Sequence, residues 1–249
     1  MSKQAGIKQP PVKKATKPKK PLLVSPPPSK ATTAAGLIRE FRKDDPHIRI
    51  VGEVKPFSPY KGFLNPRLEG MKLSEARLAI LGKLLPLVDI VSIHIDEIWG
   101  GSFKWLAQAA EICRAARKPV LAKGFNPSLA HISQALNAGA DYVLTVGWHP
   151  ARSKNNRDKF CNVWHEPVEE EQFAKSHATT LVINSRNPVT GNDLDREQII
   201  TRVASMRALD KRIVQASNIH CAACLLPGVD YALVGEPLVK LMDFSEEKK

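Results

Sequence analysis

Nine residues in this 249-residue chain have the types and spacing to handle an anionic substrate. Glu53 and Lys55 stand two apart and Ser58 follows; Lys123, Asn184, Arg186, Ser217, Asn218 and Gly235 each come at or just after the end of a short apolar run. Residues two apart in an extended segment share a face, so Glu53 and Lys55 point the same way. Lys and Arg converging on one rim suit carboxylate or phosphate groups, and a Lys partly withdrawn from water can be tuned as a proton donor. Ser217-Asn218 and Gly235 suit turns whose backbone N–H groups receive a phosphate. Each also has a plainer use. A strand-ending Lys is ordinarily solvated, Glu53 can pair with Lys55 or Arg186, and Asn and Gly are common turn residues. Their coincidence at the ends of successive apolar runs is what points to a site.

The elements that must position them read as repeated βα units. Strands are expected over 48–55, 88–95, 119–123, 141–146, 160–164, 179–184, 212–216 and 231–234. Helices are expected over 34–42, 74–85 with Ser74 as N-cap, 103–116, 129–138 ending at Gly139, 168–176, 196–209 and 237–242. A short helical piece is expected over 221–226, and the polar stretch 148–159 is too short for a full crossover helix. Strands that read as continuous apolar runs belong to parallel sheets covered on both faces. Eight such units imply an α/β fold, a single (β/α)8 TIM barrel over residues 31–249. In such barrels the chemistry sits at the C-terminal strand ends. No G-x-G-x-x-G or Walker A loop follows any strand, so no nucleotide is expected, and neither a cofactor nor a metal is assigned.

The net charge of +12 is concentrated at the start: residues 1–30 hold eight Lys, no acidic residue and seven of the 19 Pro, leaving +4 for the rest. Such a segment buries too little to offset its ordering entropy and is expected to be a disordered tail. Nucleic-acid binding is expected, if anywhere, only there. With no apolar run of about 18 residues and no apolar leader, neither a membrane span nor a secretory signal is expected, and the location expected is cytoplasmic. Cys113, Cys161, Cys221 and Cys224 are too few for a disulfide framework. Cys221 and Cys224 form one CxxC after His220; without a second pair they read as small apolar residues on one helical face.

The segment Glu53-Val-Lys-Pro-Phe-Ser-Pro-Tyr-Lys-Gly62 resembles the Glu-x-Lys-x-x-Ser-Pro-Ser segment of indole-3-glycerol phosphate synthases. The resemblance continues in order through Gly100-Gly-Ser102, Pro119-Val-Leu-Ala-Lys-Gly-Phe125, Ala138-Gly-Ala-Asp141, Ile183-Asn-Ser-Arg-Asn187, Ser217-Asn-Ile219 and Leu233-Val-Gly-Glu236. It implies ring closure of 1-(2-carboxyphenylamino)-1-deoxyribulose 5-phosphate, with loss of CO2 and water, in tryptophan biosynthesis and without a cofactor. It further implies Lys123 as general acid, Lys55 holding the substrate carboxylate with Glu53 beside it, and Asn184 and Ser217 lining the reacting centre. Ser58, Arg186, Asn218 and Gly235 would bind the substrate, mainly at its phosphate side.

Four departures accompany the resemblance. The family's strand-five glutamate, in a Val-Glu-Val-His-like run, falls on Val163 of Asn162-Val-Trp-His165; His165 and Glu166 are the alternatives for its place. Lys-Asp-Phe becomes Lys123-Gly-Phe125, Glu-Ser-Gly-Ile becomes Ala216-Ser-Asn-Ile219, and the connections at 148–159 and 219–228 are short. Two other functions stay open: a paralogue acting on another sugar phosphate, and a non-catalytic phosphate-binding or scaffold barrel using the tail for contact.

Overall fold

A computed structural model of the chain describes residues 29–59, 61–126, 128–150, 161–186 and 193–245. Eight parallel strands form a closed barrel: β1 (Arg49–Val54), β2 (Ile90–His94), β3 (Val120–Lys123), β4 (Tyr142–Val146), β5 (Val163–Glu166), β6 (Thr180–Asn184), β7 (Arg212–Ala216) and β8 (Tyr231–Val234). Neighbours in sequence pair in space, and β8 closes on β1 with Arg49 opposite Tyr231. Outside run helices α1 (Ala34–Asp44), α2 (Leu73–Leu84), α3 (Phe103–Ala115), α4 (Leu129–Asn137), α5 (Glu170–Lys175), α6 (Arg196–Ala208) and α7 (Glu236–Lys240). The expected (β/α)8 barrel is the observed fold. Residues 1–28 of the tail, and most of the 148–159 connection, lie outside the described residues.

Each helix follows from a local pattern. In α1, Ala34, Leu37, Ile38 and Phe41 form one buried stripe at helical spacing, and the Thr33 hydroxyl accepts the Gly36 N–H. Ser74 is not the cap of α2. The helix begins one residue earlier, and the Glu75 carboxylate accepts the Lys72 N–H instead. Between β7 and β8 the crossover is reduced to one 3-10 turn, Ala222–Cys224, shorter than the expected 221–226 piece.

The period-2 alternation of strands sorts the barrel's two sides. Val51, Ile90, Leu121, Leu144, Trp164, Val182, Val214 and Leu233 fill the interior, while the opposite parity packs under the helices. At the N-terminal end the Trp164 ring lies 5.1 Å from Tyr142 and 5.5 Å from Tyr231, with the Arg49 guanidinium over Tyr231. Aromatic contacts of this kind add about 0.5–1.5 kcal/mol each beyond area burial, and here they plug the bottom of the barrel. Three aspartates that precede strands stitch that end: Asp89, Asp141 and Asp230 accept the N–H groups of Ile50, Val120 and Ile213 at 2.7–2.8 Å. The Asp of Ala138-Gly-Ala-Asp141 therefore serves stability rather than a ligand.

Strand five corrects the expected one. It runs over Val163–Glu166, not 160–164, and Val163 packs in the outer layer. Trp164 points inward and so does Glu166 two residues on. His165 shares the outward parity of Val163, and its Nδ1 is bonded to the Ser176 hydroxyl at 2.8 Å. Neither Val163 nor His165 reaches the interior. The inward carboxylate of this strand is Glu166, three residues after Val163.

Candidate active site

With the bottom plugged by aromatic rings, the polar inward residues collect at the C-terminal ends of the strands. Continuing each inward parity past the apolar layer gives Glu53 on β1, His94 on β2, Lys123 on β3, Glu166 on β5 and Asn184 on β6. The partner of Glu53 is neither Lys55 nor Arg186 but Lys123, whose Nζ lies 3.0 Å from Oε1. Burial by itself pushes the Glu53 carboxyl up, yet the Lys123 charge, with Lys55 next, outweighs it and holds it at about 2. Burial lowers Lys55, only partly countered by Glu53, and its Nζ sits 4.3 Å from the centre of the Trp99 ring.

Glu166 is in the opposite condition. Burial raises its carboxyl to about 6, although the Asn184 amide donates to Oε1 at 3.1 Å and Lys123 lies near enough to oppose the rise. Two inward carboxylates on one rim thus titrate in separate ranges, the pattern by which one site holds both a permanent anion and a proton carrier. Asn184 Oδ1 in turn accepts the Arg186 N–H at 3.1 Å, and Arg186 Nη2 donates to Asn218 Oδ1 at 3.3 Å.

A cavity of about 290 Å³ opens among these groups, lined by Glu53, Lys55, Lys123, Arg186, Ser217–His220 and Gly235 together with Lys61 and Lys240. Glu166 and Asn184 line a smaller recess of about 50 Å³, and Arg186 lines both. Ser217 (φ +64°) and Asn218 (φ +53°) both adopt the left-handed region, so Asn218 takes the turn where the resembling family has Gly. Gly235 is required by close approach: a Cβ there would stand 2.6 Å from Glu53 Oε2. Gly124, where the family has Asp, leaves room for the Asp96 carboxylate, which accepts the Phe125 N–H at 3.2 Å.

Eight of the nine expected residues therefore meet at one rim, in two adjoining recesses. Ser58 does not: it is buried in a small hairpin (Phe57–Ser58 with Gly62–Phe63), outside the cavity lining among the described residues. Two further inward residues complete the rim. Glu166, one of the two alternatives for the strand-five glutamate, shares the inward parity of Trp164. His94 ends β2 beside Lys123 and Glu53, and burial, with Lys123 next, lowers it to about 3, so it is neutral. Among the described residues its Nδ1 has no hydrogen-bond partner, Asp96 Oδ2 being 3.8 Å away. A polar residue ending an otherwise apolar strand run was its only signal.

No family model matches the chain. It is 26% identical over 211 residues to an indole-3-glycerol phosphate synthase of Thermoanaerobacter sp. (strain X514), covering 79% of this chain and 76% of the relative. The same figures hold for the indole-3-glycerol phosphate synthase of Thermoanaerobacter pseudethanolicus. Among solved structures, a 3-hexulose-6-phosphate synthase superposes with a TM-score of 0.53 at 14% identity, over 78% of this chain and 96% of that one. KGPDC from Streptococcus mutans gives a TM-score of 0.54 at 10% identity, over 78% of this chain and 93% of that one. These likenesses concern the fold. No helix among the described residues is long and apolar enough to cross a membrane.

Proposed function

We propose that the chain is an enzyme that closes the indole ring of 1-(2-carboxyphenylamino)-1-deoxyribulose 5-phosphate, releasing CO2 and water. The observation that carries this reading is the set of inward groups at one rim, Lys123 paired with Glu53 at 3.0 Å and Glu166 bonded to Asn184 at 3.1 Å, with the Glu53 carboxyl held at about 2 and that of Glu166 raised to about 6. The 26% identity to indole-3-glycerol phosphate synthases over most of the chain supports it independently.

The Lys123 ammonium, paired with Glu53, donates a proton to the ribulose carbonyl oxygen. At the same time the aryl carbon bearing the carboxylate attacks the carbonyl carbon. The new C–C bond forms, the bond to the carboxylate breaks, and its electrons restore the aromatic ring as CO2 leaves. Lys123, reprotonated from water, donates a second time to the new hydroxyl, which departs as water, while Glu166 takes the proton from the adjacent ring carbon and returns it to solvent; a carboxyl near 6 is well matched to that transfer. Lys55 holds the substrate carboxylate. Arg186 and the Ser217–Asn218 and Gly235 turns receive the phosphate.

The test is the appearance of indole fluorescence when the purified chain meets this substrate, with Lys123→Ala and Glu166→Gln each slowing it by about a hundredfold or more. No product, while a known synthase consumes the same preparation, refutes the reading. One observation favours a second reading, an enzyme for a smaller sugar phosphate: no Phe, Tyr or Trp lines the main cavity among the described residues. It predicts that ribose 5-phosphate raises the melting temperature while the carboxyphenylamino substrate does not. The reverse result removes it.

A further inference from the structure

On the loop from β7 to β8, His220 at the edge of the main cavity comes together with Cys221 and Cys224, two thiols that take no part in the groups above. Their ligating atoms all lie within 4.8 Å of one another. The turn that carries them is tied down by other groups. The Gln215 amide donates to the Cys224 carbonyl at 2.9 Å while its oxygen accepts the Leu226 N–H at 2.9 Å. Arg196 donates to the Ala223 carbonyl at 3.2 Å, and the Cys224 N–H closes on the Cys221 carbonyl at 3.1 Å. The scaffold is thus built from backbone, Gln and Arg, and needs neither thiol nor imidazole. Both cysteines are buried and His220 is exposed. Apolar packing accounts for two buried thiols, but not for an imidazole brought to both of them.

We propose that His220, Cys221 and Cys224 form a three-ligand site for a thiophilic divalent cation, with zinc the natural occupant. Thiolate and imidazole donors suit zinc, whereas magnesium and calcium require oxygen ligands. Bond lengths of about 2.3 Å to sulfur and about 2.0–2.1 Å to nitrogen put tetrahedral donors roughly 3.5–3.8 Å apart. The trio therefore needs to draw in by about an ångström, and the exposed side of His220 leaves the fourth position to water. Binding releases the protons of the coordinating thiols. The place of the site gives it a purpose. Residues 217–220 line the main cavity, yet the crossover behind them is a single 3-10 turn instead of a helix. A cation there fastens this loop.

The test uses the full chain, reduced with a phosphine and stripped of metal, then titrated with Co2+ and afterwards with Zn2+. One equivalent of Co2+ should give thiolate charge-transfer absorption with the intense visible bands of four-coordinate cobalt, and zinc should displace it and raise the melting temperature. His220→Gln, a change at an exposed position, should weaken Co2+ at least tenfold with the fold intact; the Cys221→Ser, Cys224→Ser chain should lose the charge-transfer band. If that chain does not fold, protection by Zn2+ of both thiols of the natural protein against alkylation, read by mass spectrometry, takes its place. The proposal is overturned if the charge-transfer band is absent, persists without the two cysteines, or is as tight in His220→Gln. Unprotected thiols in the alkylation experiment overturn it equally.

Discussion

Replacing Glu166 by Gln should cost activity and add stability at once. The carboxyl rises from an ordinary 4.5 to about 6 because it is fully buried, so the folded protein resists the anion more than the unfolded chain does. At 1.36 kcal/mol per pKa unit, holding the anion costs about 2 kcal/mol at neutral pH. The sign follows from the raised value. The cost is complete above about pH 6, falls away as pH drops toward 4.5, and is gone below it. Gln is nearly isosteric and still offers a carbonyl to the Asn184 amide, which now donates to Oε1 at 3.1 Å. The variant should therefore melt about 4–8 °C higher at pH 7.5, given roughly 2–4 °C per kcal/mol for a domain of this size. The two proteins should converge near pH 4.5. Turnover should fall by about 10²–10⁴-fold, the usual worth of a positioned acid or base. Calorimetric melts across pH, beside indole formation at pH 7.5, read both. A variant less stable than the natural protein at pH 7.5, or a gain that persists undiminished at pH 4.5, would refute the reasoning.

Glu53 has the opposite sign: its carboxyl is lowered to about 2, so its pairing adds stability in full above pH 4.5 and loses it as pH falls toward 2. Glu53→Gln should cost about 3 kcal/mol at neutral pH in denaturant titrations, since it also leaves Lys123 without its carboxylate. Gly235→Ala puts a Cβ against the Glu53 carboxylate and should lower kcat/KM more than tenfold; an unchanged value means that Glu53 can move without consequence. Val163→Ala tests the strand register. It should lose about 1–3 kcal/mol as a buried outer-layer truncation and leave kcat/KM within about twofold, whereas a selective loss of turnover would return Val163 to the site.

Much of this molecule was legible in the chain. Apolar runs at regular intervals, most of them followed by an amphipathic stretch, determined eight strands of a βα fold. Period-2 parity determined that Glu53 shares a face with Lys55. Those properties are local, because an apolar run must be covered on both sides and an extended chain alternates its side chains whatever surrounds it. Tertiary structure decided what depends on register and distance. Lys123 rather than Lys55 pairs with Glu53 across 70 positions, because β2, hydrogen-bonded to both β1 and β3, brings their C-terminal ends to one rim. Glu166 rather than Val163 points inward, because a four-residue strand has too weak a period to announce its register, which its pairing with β4 and the inward packing of Trp164 settle. His94 beside Lys123, and His220 beside two thiols, were likewise invisible in spacing. Residues within one strand are placed by the backbone's own geometry, but residues on different strands meet only where the closed sheet brings them.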